Sequence, residues 1–188
     1  MKTLIIDACT SDKSRTRKLT AYLWKKLNGN VKMIRLYEEK LYSLNQTFLK
    51  KRDAAIEKND FSDSMFKFAK QFAEADNIII AAPYWDLSFP AVLKQYIEMI
   101  NVCGLTFRYS ETGIPVSLSK AKRLIYITTA GGYIVSDEFG FGYIKNIMEL
   151  FYGVKRVDYI KAEGLDIVGA DIDAILKTAQ QDIDKSVL

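Results

Sequence analysis

Three stretches of this sequence carry residue types able to do chemistry, and all three suit holding a ligand better than attacking one. In Thr10-Ser11-Asp12-Lys13-Ser14-Arg15-Thr16, the hydroxyls of Thr10, Ser11, Ser14 and Thr16 surround the guanidinium of Arg15. At the start of a helix, where the first amides have no intrahelical partner, such a set attracts a phosphate. Ser14 also has the simpler role of N-cap open to it, and the two roles are compatible. The second stretch, Pro83-Tyr84-Trp85-Asp86-Leu87-Ser88-Phe89-Pro90, places adjacent aromatics between two prolines. Aromatics there either wall a flat ring while backbone amides bond its edge, or pack against the next helix. The third, Thr128-Thr129-Ala130-Gly131-Gly132, ends in glycines that let a ligand approach the backbone. Together they fit a phosphorylated aromatic cofactor.

What the sequence lacks narrows the chemistry further. It has no histidine, which removes Ser-His and Cys-His nucleophiles, His-liganded zinc and histidine base catalysis. Cys9 and Cys103 are the two cysteines, and they offer neither a disulfide framework nor a metal-ligand spacing. Neither GxxxxGK[ST] nor GxGxxG occurs, so the phosphate loop is not of the common nucleotide types. An enzyme built from these residues leaves its reaction to a cofactor.

The elements that must position these loops follow from periodicity. Strands are expected at Lys2 to Asp7, Val31 to Leu36, Asp76 to Ala82, Arg123 to Thr129 and Val154 to Ala162. Helices are expected from Ser14 to about Asn28, over Thr47 to Lys58, Ser62 to Ala75, Pro90 to Val102, Asp137 to Tyr152 and Ile172 to Val187. Gly104 to Leu118 reads as an extended excursion suited to enclosing a substrate. This alternation predicts an α/β fold, a doubly wound open sheet of five parallel strands with helices on both faces, as one domain over residues 1–188. Ligands of such sheets sit outside the carboxyl ends of the strands, so the loops after the first, third and fourth strands should meet.

Length and composition agree: 188 residues, 49% hydrophobic and 27% charged, is ordinary globular material. The 27 basic and 23 acidic residues are mixed along the chain, with no block arguing for nucleic acid. No apolar stretch is long enough for a bilayer and no signal peptide precedes the first strand, so a cytoplasmic location is expected.

Residues 75–109, ADNIIIAAPYWDLSFPAVLKQYIEMINVCGLTFRY, resemble a strand, flavin loop, P-x-x-LK-x-Y-I-D helix and G-x-TF-x-Y segment found in flavodoxin-like NAD(P)H:quinone oxidoreductases and FMN-dependent azoreductases. Ser14-Arg15-Thr16 is similar to the family's phosphate-binding S-x-[ST] and Thr129 to Gly132 to its second flavin loop; the likeness extends over essentially the whole chain. It implies a homodimer with each FMN near the subunit interface, NADH or NADPH as donor, and two-electron ping-pong hydride transfer through the flavin to quinones, azo compounds or nitroaromatics.

By the same resemblance, Ser14, Arg15 and Thr16 contact the phosphate, and Cys9 falls where many members carry serine beside it. Pro83, Tyr84, Trp85, Asp86 and Leu87 contact the ring and ribityl chain, while Thr128, Thr129, Ala130, Gly131 and Gly132 close the other side. Protons for the reduced acceptor can come from water or from a pocket tyrosine, with Tyr84 and Tyr133 as candidate substrate-side groups, and the sequence does not choose among them. The chain departs from the pattern with Asp86 where azoreductases commonly have Asn, Tyr133 near a frequent histidine, and Val116-Ser117 in place of Gly-Leu. The rival readings are a flavodoxin-type electron carrier, which the net charge of +4 disfavours because such carriers tend to be acidic, a flavin reductase serving a partner enzyme, and a receiver-like domain without catalysis.

Overall fold

The computed structural model describes residues 1–187. Five strands, β1 (Lys2–Asp7), β2 (Asn30–Arg35), β3 (Asn77–Ala81), β6 (Arg123–Thr129) and β7 (Arg156–Ala162), form one parallel sheet in the order β2-β1-β3-β6-β7. That is the expected doubly wound topology, with order reversing between β1 and β3, where such sheets bind ligands.

The central strands are apolar throughout because both faces are covered. Ile5, Ile79 and Ile125 sit in register across the sheet. They share one core with Leu19 and Leu23 of α1 (Arg15–Trp24) and Ile183 of α6 (Ile172–Val187). Their neighbours Leu4, Ile6, Ile78, Ile80, Leu124 and Tyr126 point to the other face. There they meet α3 (Lys67–Ala73), α4 (Ala91–Ile100) and α5 (Tyr143–Leu150) through Phe68, Phe72, Leu93, Tyr96, Ile97, Ile144 and Met148.

Several boundaries moved for local reasons. The expected helix from Ser62 starts instead as a 3-10 turn at Ser64–Phe66, where Asp63 Oδ1 accepts from the Met65 amide at 2.8 Å. The expected helix from Asp137 opens with a wide π turn over Glu138–Gly142, whose Gly142 amide donates to the Asp137 carbonyl at 2.6 Å. Glycines at both ends of that turn's second half explain why regular helix begins only at Tyr143. Of the aromatics there, Phe141 stacks on Tyr159 with centroids 4.0 Å apart, Tyr143 meets Phe89 and Phe151 meets Phe107, leaving Phe139 exposed.

The excursion is a small antiparallel hairpin, β4 (Phe107–Tyr109) with β5 (Pro115–Ser117). Buried Thr106 ties its base to the end of α4, donating to the Ile100 carbonyl at 2.7 Å. The chain leaving it bonds to Ala73 at the end of α3 and to Asp76 just before β3. The hairpin therefore sits at the amino end of the sheet, opposite the loops expected to bind a ligand, and does not enclose them as the sequence suggested.

Candidate functional site

The loop after β1 is shaped by a residue that sequence reading passed over. Arg17, in the first turn of α1, sends Nε to Asp7 Oδ2 at 2.7 Å, Nη1 to Asp12 Oδ1 at 2.6 Å and Nη2 to the Cys9 carbonyl at 2.6 Å. Asp7 is fully buried at the end of β1, and its other oxygen accepts from the Cys9 amide at 2.8 Å. A buried carboxylate needs a partner of this kind, and a solitary Asp closing an apolar strand was the available signal. The loop is thus pinned at both ends. Ser14 caps α1, its hydroxyl accepting from the Arg17 amide at 3.3 Å, which leaves the Arg15 and Thr16 amides at the helix start without an intrahelical acceptor.

The loop after β3 continues to pair beyond the strand. The Ala82 amide donates to Ile127 at 3.0 Å and the Tyr84 amide to Thr129 at 2.9 Å. It then turns back tightly, with Trp85 and Ser88 exchanging backbone bonds of 3.1 and 2.7 Å. The two central residues of that turn, Asp86 and Leu87, are left-handed at φ 50° and 67°. Such a turn ordinarily uses Asn-Gly; a leucine there costs on the order of 1–2 kcal/mol. Side chains hold the strained turn in place, the Tyr84 hydroxyl donating to the Ser136 carbonyl at 3.2 Å and Ser88 to Phe139 at 2.7 Å.

The loop after β6 is covered by a fourth segment. Amides of Gly164, Leu165 and Asp166 donate to the carbonyls of Gly132, Ala130 and Gly131 at 2.8, 3.2 and 2.8 Å. Asp166 lies so close over Gly131 that a Cβ on that glycine would overlap its carboxylate. The same carboxylate receives Arg15 Nη2 at 2.7 Å, while Arg15 Nη1 donates to the Leu165 carbonyl at 2.8 Å.

These loops enclose one cavity of about 390 Å³, lined by Thr10, Ser11, Lys13, Ser14, Arg15, Pro83, Tyr84, Trp85, Thr129, Gly131 and Asp166. One end is rich in hydroxyls and cations, the other in aromatic surface, and the size is within the roughly 300–1,000 Å³ of small-molecule sites. The amides of Asp86, Leu87, Gly131 and Gly132 make no backbone hydrogen bond among the described residues, so donors remain on the loops after β3 and β6 as well as at the start of α1.

Other residues expected at the site do not line this cavity with their side chains. Cys9 is buried beneath the loop and outside the lining; burial, followed by the Asp7 charge, pushes its thiol up to about 12. Thr16 is also fully buried, its hydroxyl sharing a 2.7 Å bond with Thr129 that ties α1 to β6, so only its backbone remains for a ligand. Thr128 and Ala130 are buried and outside the lining. Asp86, Leu87 and Gly132 are exposed and also outside it. Tyr133 lines a neighbouring groove with Glu163 and Ile167 instead. Lys13 and Asp166 were missed. A lysine in a polar loop carries no local mark that sets it apart from a surface lysine, and Asp166 follows the fifth strand and reaches the cavity only because its loop folds back over Gly131.

The comparisons with known proteins bear on the whole chain. A family model described as a flavodoxin-like fold matches residues 1–187. A curated FMN-dependent NADH:quinone oxidoreductase of Clostridium beijerinckii is 37% identical over 184 residues, covering 93% of this chain and 89% of the relative. One of the same description from Clostridium perfringens is 35% identical over 154 residues, covering 81% and 75%. Among solved structures, an FMN-dependent NADH-azoreductase from Bacillus anthracis in complex with FMN superposes with a TM-score of 0.83 at 22% identity, covering 99% of this chain and 97% of that one; at that identity the likeness speaks to the fold. Matched by that model along its described length and by relatives well above 30% identity, the chain belongs to the flavodoxin-like family.

Proposed function

We propose that this chain is an FMN-dependent NAD(P)H oxidoreductase that passes two electrons from a nicotinamide donor to quinones, azo compounds or nitroaromatics. The observation that carries the reading is the convergence of the β1, β3 and β6 loops on one cavity with a polar, cationic end and an aromatic end. The names of its curated relatives supply the reaction class.

The residues present fit FMN. Thr10, Ser11 and Ser14, with the open amides at the start of α1, suit a phosphate. Tyr84 and Trp85 suit a flat ring, and the open amide of Gly131 in the lining, with those of Asp86, Leu87 and Gly132 just outside it on the same loops, can bond its polar edge. FMN, when bound, supplies the acceptance of two electrons from the nicotinamide and their delivery to the acceptor, which is why a chain without histidine can carry out the reaction. The protein orients and shields. Trp85 is about half exposed at the cavity mouth, where a planar acceptor meets it. Tyr84 holds the strained turn through Ser136, so its hydroxyl proton is committed to a carbonyl and its role is positional.

The reading includes one domain, a homodimer and a cytoplasmic location. Exposed Tyr133, Val135, Phe139 and Val168 around the site support the dimer, and no helix among the described residues is long and apolar enough to cross a membrane. A binding site shared in turn by donor and acceptor gives ping-pong kinetics. Initial rates with NADH and a benzoquinone should give parallel lines in double-reciprocal plots; intersecting lines, or no turnover in FMN-loaded protein, would refute it. An electron carrier would show slow reduction by NADH in the same assay.

A further inference from the structure

Lys13 and Arg15 flank Ser14 and both line the cavity, yet one is paired and the other is not. Each terminal nitrogen of the Arg15 guanidinium already donates one bond, Nη1 to the Leu165 carbonyl and Nη2 to the Asp166 carboxylate, so its charge is paired. Its partner is anchored in turn, because the Leu165 and Asp166 amides are bonded to Ala130 and Gly131 at 3.2 and 2.8 Å. Lys13 is exposed and has no ion pair among the described residues. Its amide donates to Ser11 Oγ at 3.1 Å, which fixes its backbone one position before the helix cap.

Resting on the FMN reading above, we propose that Lys13, and not Arg15, selects the phosphorylated form of the ligand, while Arg15 and Asp166 form a latch joining the start of α1 to the loop after β7. Their charges cancel at the cavity wall, so the net positive charge offered to a phosphate there is that of Lys13. An ammonium on a flexible stem meets a dianion without giving up a bond. For Arg15 to turn its paired Nη edge to the phosphate it would abandon a carboxylate and a carbonyl and leave the Asp166 charge unneutralised beside the phosphate, where like charges repel; while the latch holds, its charge is already shared with Asp166. Only the cavity end holding Lys13 needs to distinguish FMN from riboflavin, since the ring end sees the same group in both.

Dissociation constants for FMN and for riboflavin, read from quenching of flavin fluorescence at low and high salt, test this in the wild type, in K13Q and in the double variant R15Q/D166N, which removes the latch without changing net charge. K13Q should weaken FMN about tenfold, leave riboflavin unchanged and flatten the salt dependence of FMN binding. R15Q/D166N should weaken both flavins by the same factor and keep their ratio. An unchanged FMN to riboflavin ratio in K13Q, or loss of that ratio in the double variant with K13Q unaffected, would overturn the assignment. Binding of neither flavin by the wild type would overturn the FMN reading itself, and the assignment with it.

Discussion

The loop after β1 and helix α2 (Gln46–Glu57) are both polar surface segments, yet they are held in opposite ways. The loop is fixed from inside: Arg17 joins Asp7, Asp12 and the Cys9 carbonyl, and Asp7 has no exposed surface at all. Helix α2 has no fully buried residue; it rests on a satellite cluster through Phe48, Ala55 and Ile56, and is started by Asn45, whose side chain accepts from the Phe48 amide at 2.9 Å. A segment that must hold donors at fixed spacing for a ligand gains from being over-determined. A peripheral helix with few buried contacts opens locally at little cost.

Breaking the loop should have the largest effect. Arg17→Met strands Asp7 as a buried charge without a partner, and should destabilise the flavin-free protein by about 3–5 kcal/mol in urea unfolding. Loss of under 1 kcal/mol would mean that the network is dispensable. Next comes Cys9, whose folded value is raised to about 12 from an ordinary 9.0. A neutral thiol is favoured in the fold, so this contribution is complete below pH 9 and is lost as pH rises from 9 toward 12. The stability difference between wild type and Cys9→Ala should therefore be flat below pH 9 and shift against the wild type above it, whereas a difference independent of pH would show that Cys9 titrates as if exposed. The smallest effect belongs to α2: Asn45→Ala should cost about 1 kcal/mol of cap energy, read as faster hydrogen exchange confined to residues 46–57. Exchange rising equally across β3 would show α2 to be part of the main cooperative unit.

The same contrast explains what the sequence made legible. The strand runs, the covering helices and the three converging loops were readable because burial on both faces writes continuous apolar runs, and glycine, proline and hydroxyl residues mark strand ends. Arg17 was not readable, since its partners lie at positions 7, 9 and 12 and only the folded loop brings them to one guanidinium. Nor was the left-handed Asp86-Leu87 turn, which breaks the usual Asn-Gly preference and is held by contacts from the segment around Ser136 to Phe139. Thr16 misled for a related reason. A threonine in a phosphate motif reads as a ligand group, but at the second position of α1 its side chain faces β6 and bonds Thr129. Asp166 reaches the cavity only because the loop after β7 folds back over Gly131, a tertiary event with no local signature.

The central claim, that these strand-end loops hold an FMN that takes electrons from a nicotinamide, is tested most directly by the visible spectrum of the purified protein reconstituted with FMN and freed of excess. The account predicts bound-flavin absorbance that bleaches on anaerobic addition of NADH and returns on addition of a quinone. Protein that stays colourless after reconstitution, or whose bound flavin NADH does not bleach, would contradict it.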